Sequence, residues 1–112
     1  MMNIVLCCAG GFSTTMMMEK IKDVIRESKK LQLEDFNLKA ISADLLQDET
    51  EPIDVVLIGP QIAHREEYIR SIIEPKGTAY AIMDKDTYGK MDGATALKMA
   101  LIADKKNKAK GE

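Results

Sequence analysis

One stretch near the start of the chain decides which fold the sequence predicts. It reads, in order, Ile4-Val5-Leu6-Cys7-Cys8-Ala9-Gly10-Gly11-Phe12-Ser13-Thr14-Thr15. Residues 3–8 form a short apolar run, which is typical of a buried strand. A glycine-bearing turn follows, and residues 13–30 carry apolar side chains at helical spacing, after hydroxyl residues suited to cap a helix. The stretch therefore predicts a strand, a tight loop and a helix, with Cys8 where the strand ends.

Strand and helix patterns alternate along the rest of the chain. Residues 36–41 alternate apolar and polar side chains, as a strand near a sheet edge does, whereas 54–58 is a continuous apolar run that favours a central parallel strand. The other predicted elements are a helical turn at 43–47, helices at 63–73 and 93–104, a strand at 78–83 and a polar connection at 84–93. This alternation predicts an α/β fold in three layers, in which helices flank a four-stranded parallel sheet.

Length and composition bound the function classes. The 112 residues are 46% hydrophobic and 30% charged, with a net charge of −2, so we expect one domain, residues 1–104, and a charged, frayed tail at 105–112. That charge gives no argument for nucleic-acid binding, and no apolar run is long enough for membrane insertion. The N-terminus lacks the basic stretch of a signal peptide, so the cytoplasm is the expected location. Two adjacent cysteines without a CxxC pair suit neither a structural disulfide nor a zinc site, and we expect no metal and no cofactor.

Cys8 is the candidate nucleophile. The amides of the following loop and the start of the helix direct N–H groups at a bound anion, and the same positive end favours a thiolate. Cys7 alternates with Cys8 along the strand, so it points to the opposite face, where a buried structural cysteine is expected. The junction therefore predicts a cysteine that takes on a phosphoryl group.

The loop residues support that chemistry, although each also has a plainer role. Gly10 and Gly11 let the backbone approach an anion closely, and they would equally serve a tight turn. The hydroxyls of Ser13, Thr14 and Thr15 could donate to phosphate oxygens or simply cap the helix. Both roles are compatible at each position, so the loop remains the predicted phosphate-binding segment.

The position six residues after Cys8 separates two kinds of cysteine chemistry. A tyrosine phosphatase needs an arginine there to clamp the transferring group, but this chain has Thr14, and no arginine precedes Arg26. No carboxylic acid near the loop is evident as a proton donor for a leaving group either. A loop of neutral donors holds a phosphoryl group without the cationic stabilisation of a hydrolase. The sequence thus favours a phosphoryl carrier.

A second segment is expected to lie beside Cys8. Ligands of open parallel sheets bind at the carboxyl ends of the strands. The strand that ends at Gly59 should lie next to the first strand, which would place the turn Gly59-Pro60-Gln61 on the same rim as Cys8. His64, the only histidine, is interpreted as a partly exposed residue opening a helix rather than as a catalytic base.

Three segments carry a resemblance to a known family: Cys8-Ala9-Gly10-Gly11-Phe12-Ser13-Thr14-Thr15, Asp54-Val55-Val56-Leu57-Ile58-Gly59-Pro60-Gln61-Ile62 and Tyr88-Gly89-Lys90-Met91-Asp92-Gly93. The chain resembles the B component (enzyme IIB) of the lactose/cellobiose class of the phosphoenolpyruvate-dependent sugar phosphotransferase system. A methionine often stands in that family where this chain has Phe12. The segments span nearly the whole chain in the right order and spacing.

The resemblance implies a function as a phosphoryl carrier. Family members accept a phosphoryl group from a histidine of the A component on the loop cysteine, here Cys8, and pass it to a sugar bound by the membrane-embedded C component. It implies a fold similar to that of small tyrosine phosphatases. It also implies a cytoplasmic protein recruited to the inner face of the membrane by the C component, with a β-linked disaccharide such as cellobiose, chitobiose or lactose as the sugar.

Residue roles follow from the same resemblance. The phosphate contacts fall on the backbone of residues 9–15, with the Ser13 and Thr14 hydroxyls as helpers. Phe12 and the methionines at 16 and 18 are candidates for the surface that faces the partner proteins. Two other functions stay open: a low-molecular-weight phosphatase, which the missing arginine disfavours, and a non-catalytic regulatory or binding module that has kept the fold.

Overall fold

The computed structural model of this chain describes residues 1–8 and 12–110, without the side chains of Phe12, Ser13 and Lys110. Its centre is a four-stranded parallel sheet with the strand order β2-β1-β3-β4. The strands are β1 (Met2–Cys8), β2 (Phe36–Ser42), β3 (Val55–Ile58) and β4 (Ala79–Ile82). The predicted edge position of residues 36–41 and the predicted central position of 54–58 are both confirmed.

Helices cover both faces of the sheet. They are α1 (Phe12–Glu27), α2 (Glu66–Ile73), α3 (Lys85–Gly89) and α4 (Gly93–Lys110). Short 3₁₀ turns occupy Leu33–Asp35, Ala43–Asp48, Pro60–Arg65 and Glu74–Lys76. The predicted three-layer α/β architecture is therefore confirmed. Among the described residues, none of these helices combines the length and the apolar character that crossing a bilayer would require.

The alternation of β1 builds two separate apolar layers. Ile4 and Leu6 pack in one cluster with the buried faces of α1 and α4. Val5 and Cys7 point to the other side, into a cluster with α2 and the turns after β2 and β3. Successive strand residues face opposite sides of a sheet, and a fully buried Leu or Ile stabilises the fold by about 1.5–3 kcal/mol. Because β1 is packed on both faces, the position of its last residue, Cys8, is well defined by the core.

Two helices differ from those that the sequence pattern predicts. The helix predicted at 63–73 begins at Glu66, because residues 60–65 form a 3₁₀ turn that is kinked at Ile62 (φ −120°, ψ 23°). The polar connection predicted at 84–93 contains α3, whose cap is Asp84: its carboxylate accepts from the backbone N–H of Thr87 at 2.6 Å. Side-chain capping by an aspartate suffices to start a short helix in a polar segment.

The final helix is longer than predicted. It was expected to end near Asp104 with a frayed tail after it, but α4 continues through Lys110, so fraying is wrong for residues 105–110. One local ion pair and one tertiary hydrogen bond stabilise residues 105–110 of the helix. Lys108 pairs with Asp104 at 2.9 Å, and the Asn107 side-chain amide donates to the carbonyl oxygen of Gly77 at 2.8 Å. The latter contact attaches the end of α4 to the turn before β4. The division of the chain at residue 104 stays a prediction.

Candidate active site

Cys8 lies at the carboxyl end of a central strand. In the pairing of β1 with β3, Cys7 stands opposite Ile58, and the backbone N–H of Gly59 donates to the carbonyl oxygen of Cys7 at 2.9 Å. A β-carbon built on Gly59 would lie 3.7 Å from the Cβ of Cys8. Cys8 and Gly59 therefore share the carboxyl edge of the sheet, as the sequence predicted.

The two cysteines have different surroundings. Cys7 is 0% exposed and packs in the cluster on the α2 side, whereas Cys8 is 3% exposed and lies on the face of Ile4 and Leu6. Burial, followed by the neighbouring Cys8, raises the pKa of the Cys7 thiol to about 12. Since the thiolate is the nucleophile, Cys7 is a protonated, unreactive core residue at neutral pH. The predicted structural role of Cys7 fits this environment.

The start of α1 follows Cys8 closely in the sequence. The helix begins at Phe12, three residues beyond the first loop position. Ala9, Gly10 and Gly11 lie outside the described residues, and so do the side chains of Phe12 and Ser13, so the phosphate-binding loop stays a prediction. The positive end of a helix dipole lies at its N-terminus, which is the feature that the predicted phosphate-binding loop requires.

Thr14 has a partner that sequence reasoning missed. Thr14 is 0% exposed, and its Oγ1 lies 3.4 Å from the hydroxyl oxygen of Tyr88, which is itself 5% exposed. The contact ties the first turn of α1 to α3 across 74 residues of sequence. Thr15, in contrast, is exposed. The available signal was that Tyr88 follows the carboxyl end of the fourth strand, which places it on the same rim as Cys8.

Two aspartates orient the segment that carries Tyr88. The backbone N–H of Thr87, above all, holds the pKa of Asp84 below its ordinary value. Asp92 accepts from the hydroxyl of Thr95 at 2.7 Å and from its backbone N–H at 3.1 Å, and these bonds hold the pKa of Asp92 down as well. Asp92 thus caps α4, as Asp84 caps α3.

The predicted rim residues border a small cavity. Pro60 and Gln61 line an open pocket of about 280 Å³ together with Lys85, Tyr88 and Gly89. Two contacts link its lining to the surroundings of Cys8: Gly59, which precedes Pro60, approaches the Cβ of Cys8, and the hydroxyl of Tyr88 reaches Thr14. His64 is exposed in the 3₁₀ turn that follows, as expected.

A larger groove of about 490 Å³ lies elsewhere, between β4 and α4. Thr78 and Asn107 line its end nearest Gly77, and Met99 and Ile102 supply its apolar wall. None of the residues that line it is a cysteine, a histidine or a serine. The larger cavity is therefore separate from the candidate site at Cys8.

The candidate partner-facing methionines differ in exposure. Met16 is 45% exposed, whereas Met18 packs partly buried against the α1/α4 cluster and Met17 is fully buried. Met16 is therefore the one of the two predicted methionines that is available on the surface. As for metals, within residues 1–8 and 12–110 no three His, Cys, Asp or Glu side chains are grouped as ligands of an ion.

Comparison with known proteins identifies the family. The profile of the family described as "PTS system, Lactose/Cellobiose specific IIB subunit" matches residues 3–99. The PTS system oligo-beta-mannoside-specific EIIB component of Bacillus subtilis (strain 168) is 27% identical over 101 residues, which cover 90% of this chain and 94% of that protein.

Solved structures agree with this match. The solution structure of the cellobiose-specific phosphotransferase IIB component of Borrelia burgdorferi is similar with a TM-score of 0.70 and 30% identity, over 95% of this chain and 94% of that one. The lactose-specific IIB component domain of Streptococcus pneumoniae shares the fold, with a TM-score of 0.64 at 15% identity over 91% and 96% of the two chains. With its strand order, its edge cysteine and a family match over residues 3–99, this chain belongs to the lactose/cellobiose-specific IIB family of the sugar phosphotransferase system.

Proposed function

We propose that this chain is a protein-phosphocysteine–sugar phosphotransferase. It accepts a phosphoryl group on Cys8 from a histidine of the A component and passes it to a sugar bound by the membrane-embedded C component. The observation that carries the proposal is the position of Cys8, at the carboxyl end of central strand β1 and shortly before α1 in the sequence. Cys7, the other thiol, is held protonated in the core by burial.

The proposed transfer consists of two exchanges of a bond to phosphorus and needs no cofactor. The Cys8 thiolate forms the S–P bond while the P–N bond of the phosphohistidine breaks, and the imidazole leaves with the electron pair. In the second step a sugar hydroxyl oxygen forms the O–P bond, its proton is released, and the S–P bond breaks to regenerate the thiolate. Such transfers depend on in-line positioning and on electrostatic stabilisation. The loop residues 9–15 would provide N–H donors, and the turn Gly59-Pro60-Gln61 would form the rim.

The arginines of the chain support a carrier over a hydrolase. Arg26 lies in the last turn of α1, about 20 Å along the helix from its start, and pairs with Asp23 at 2.9 Å. Arg65 pairs with Asp44 and lies over the ring of Tyr68, 4.5 Å from its centre. Arg70, the third arginine, pairs with Glu67 and Glu74. All three guanidinium groups are thus engaged with carboxylates outside the segments around Cys8. A thiophosphate without that clamp would persist until an acceptor arrives.

The relatives suggest the class of sugar. One is described as oligo-beta-mannoside-specific and another as cellobiose-specific. We therefore propose a β-linked disaccharide as the sugar, with the protein working in the cytoplasm at the inner face of the membrane, where the C component recruits it. Met16, which is 45% exposed on the first turns of α1, is proposed to lie in the surface that contacts these partners.

Intact-mass spectrometry tests the proposal. Wild type, Cys8→Ser and Cys7→Ala are incubated with phosphoenolpyruvate, the general phosphotransferase proteins and an A component that is itself shown to be phosphorylated. We expect one phosphoryl adduct on wild type and on Cys7→Ala and none on Cys8→Ser. An adduct that depends on Cys7 instead would refute the assignment of Cys8.

Two further readouts separate the rival functions. A low-molecular-weight phosphatase would hydrolyse an aryl phosphate rapidly, whereas a carrier would not. A non-catalytic binding module would show no adduct on wild type and would keep its cellular role after Cys8→Ser, because no covalent intermediate is needed.

A further inference from the structure

The pocket beside Cys8 holds a cation that the sequence analysis did not assign. Lys85 lines this pocket together with Pro60 and Gln61. It stands at the first position of α3, two residues after the buried Met83 that follows β4. The strand order brings this carboxyl end next to that of β3, which itself adjoins the end of β1. Tertiary structure therefore places Lys85 on the edge that carries Cys8.

Lys85 is free to act on a ligand. It is exposed, and among the described residues it forms no ion pair. The adjacent carboxylate of Asp84 is directed to the backbone N–H of Thr87 instead, at 2.6 Å. Asp86, the other neighbouring acid, is exposed to solvent. Lys85 is also the only charged residue among those that line the pocket.

A positive charge at this edge would assist the approach of the phosphoryl group. A phosphohistidine and the phosphocysteine that replaces it each carry roughly two negative charges, and a thiolate must approach the first of them. Nothing in the first 19 residues of the chain is a lysine or an arginine. A loop of neutral donors can hold the phosphoryl group, and a positive charge at the rim would attract the anion from solution and lower the repulsion without clamping the group as an arginine does in a hydrolase.

We propose that Lys85 is the cation of the transfer site: it binds the incoming phosphoryl group of the A component in the pocket beside Cys8. This rests on the proposed function and adds a residue to it. Lys85 acts as a fixed charge and a hydrogen-bond donor, keeps its proton throughout, and takes no part in the bond changes at phosphorus. A compact ammonium group binds phosphate as a point charge, which suits a group that must be released to the next acceptor.

Two alkylating reagents of similar size test the charge at Cys8 without any partner protein. Iodoacetate is an anion and iodoacetamide is neutral, and both attach carbon to the Cys8 sulfur with loss of iodide. The ratio of their rates at Cys8, followed by intact mass with Cys8→Ser as the blank, reports the local potential. The variants are Lys85→Gln, Lys85→Arg and, as a matched control, Lys106→Gln. Lys106 is also exposed, but it lines the groove between β4 and α4 next to Asn107, which is bonded to the turn before β4 at the opposite edge.

We expect Lys85→Gln to lower the iodoacetate-to-iodoacetamide ratio about two- to fivefold at low salt, as the loss of one unit charge within a Debye length predicts. The ratio should be unchanged in Lys106→Gln, retained in Lys85→Arg, and the difference should shrink at about 0.5 M salt. An equal ratio in Lys85→Gln and Lys106→Gln overturns the proposal, as does a loss that salt does not alter.

The transfer itself supplies the second readout. The second-order rate constant for phosphoryl transfer from the phosphorylated A component should fall in Lys85→Gln by a similar factor and stay unchanged in Lys106→Gln. A lowered alkylation ratio with an unchanged transfer rate would refute the role in transfer. Failure of the proposed function is distinguishable, because it appears as a wild type that acquires no adduct, while the alkylation ratio still reports whether Lys85 faces Cys8.

Discussion

Replacement of Gly93 by alanine tests the packing that sets the position of α1. Gly93 is buried at the start of α4, where that helix contacts α1. A β-carbon built on it would lie 2.6 Å from the carbonyl carbon and oxygen of Lys20 and 2.8 Å from the backbone nitrogen of Ile21. These are backbone atoms in the middle of a helix, so they cannot turn aside as a flexible side chain would. Ordinary contact begins at 3.4 Å, so the two helices must separate by close to an ångström.

The expected cost follows from this overlap. Adding a methylene to a packed interior costs about 1–3 kcal/mol, while alanine in place of glycine in a helix recovers about 0.5–1 kcal/mol. We expect Gly93→Ala to lower the free energy of unfolding by about 1–2 kcal/mol, measured by urea denaturation at equilibrium. Because α1 begins beside Cys8, the same displacement should also slow phosphoryl acceptance.

Two other glycines provide matched controls for the same substitution. Gly89 has no atom within 4 Å of a built β-carbon, so Gly89→Ala should change the stability by less than about 0.5 kcal/mol. Gly77 also has open space, but its φ of 73° lies in the left-handed region, so Gly77→Ala should cost about 1–2 kcal/mol through backbone strain alone. If Gly93→Ala proves as stable as Gly89→Ala, the close approach of α1 and α4 inferred here is wrong.

Two further predictions concern the rim and the caps. In Gly59→Ala, the new methyl group would lie 2.9 Å from the end of the Gln61 side chain, which can move, and 3.7 Å from the Cβ of Cys8. We expect the free energy of unfolding to change by less than about 1 kcal/mol and the alkylation of Cys8 to become slower. An unchanged alkylation rate would contradict the proposed rim. Asp92 has a lowered pKa in the folded state, so its contribution to stability is full above the ordinary value of 3.8 and is lost as the pH falls through the lowered native value. Asp92→Asn keeps a hydrogen-bond acceptor but loses the charge, so it should have a lower free energy of unfolding than wild type at about pH 5, and this difference should shrink at about pH 3. A difference that does not change with pH would refute a contribution from the Asp92 charge.

Local patterns carried most of the fold. The continuous apolar run at 54–58 predicted a central strand, because such a strand is covered on both faces of the sheet. The alternating run at 36–41 predicted an edge strand, because alternation is typical of a strand with one face less buried than the other. Element ends were less predictable, since they depend on contacts made elsewhere. The hydrogen bond from Asn107 to Gly77 holds the end of α4, and the sequence pattern of residues 105–110 does not predict this bond.

The sequence by itself predicted the nucleophile, and it indicated the family, which the family match over residues 3–99 confirms. Cys8 stands between a strand pattern and a glycine turn, and strand alternation alone separates it from Cys7, because successive side chains face opposite sides. Only the tertiary structure decided which distant residues come to the same edge of the sheet. Tyr88 reaches Thr14, and Lys85 lines the pocket at Gln61, because the order β2-β1-β3-β4 brings the carboxyl ends of separate strands to one edge. That order arises from packing many residues at once, so no single segment of the sequence contains it.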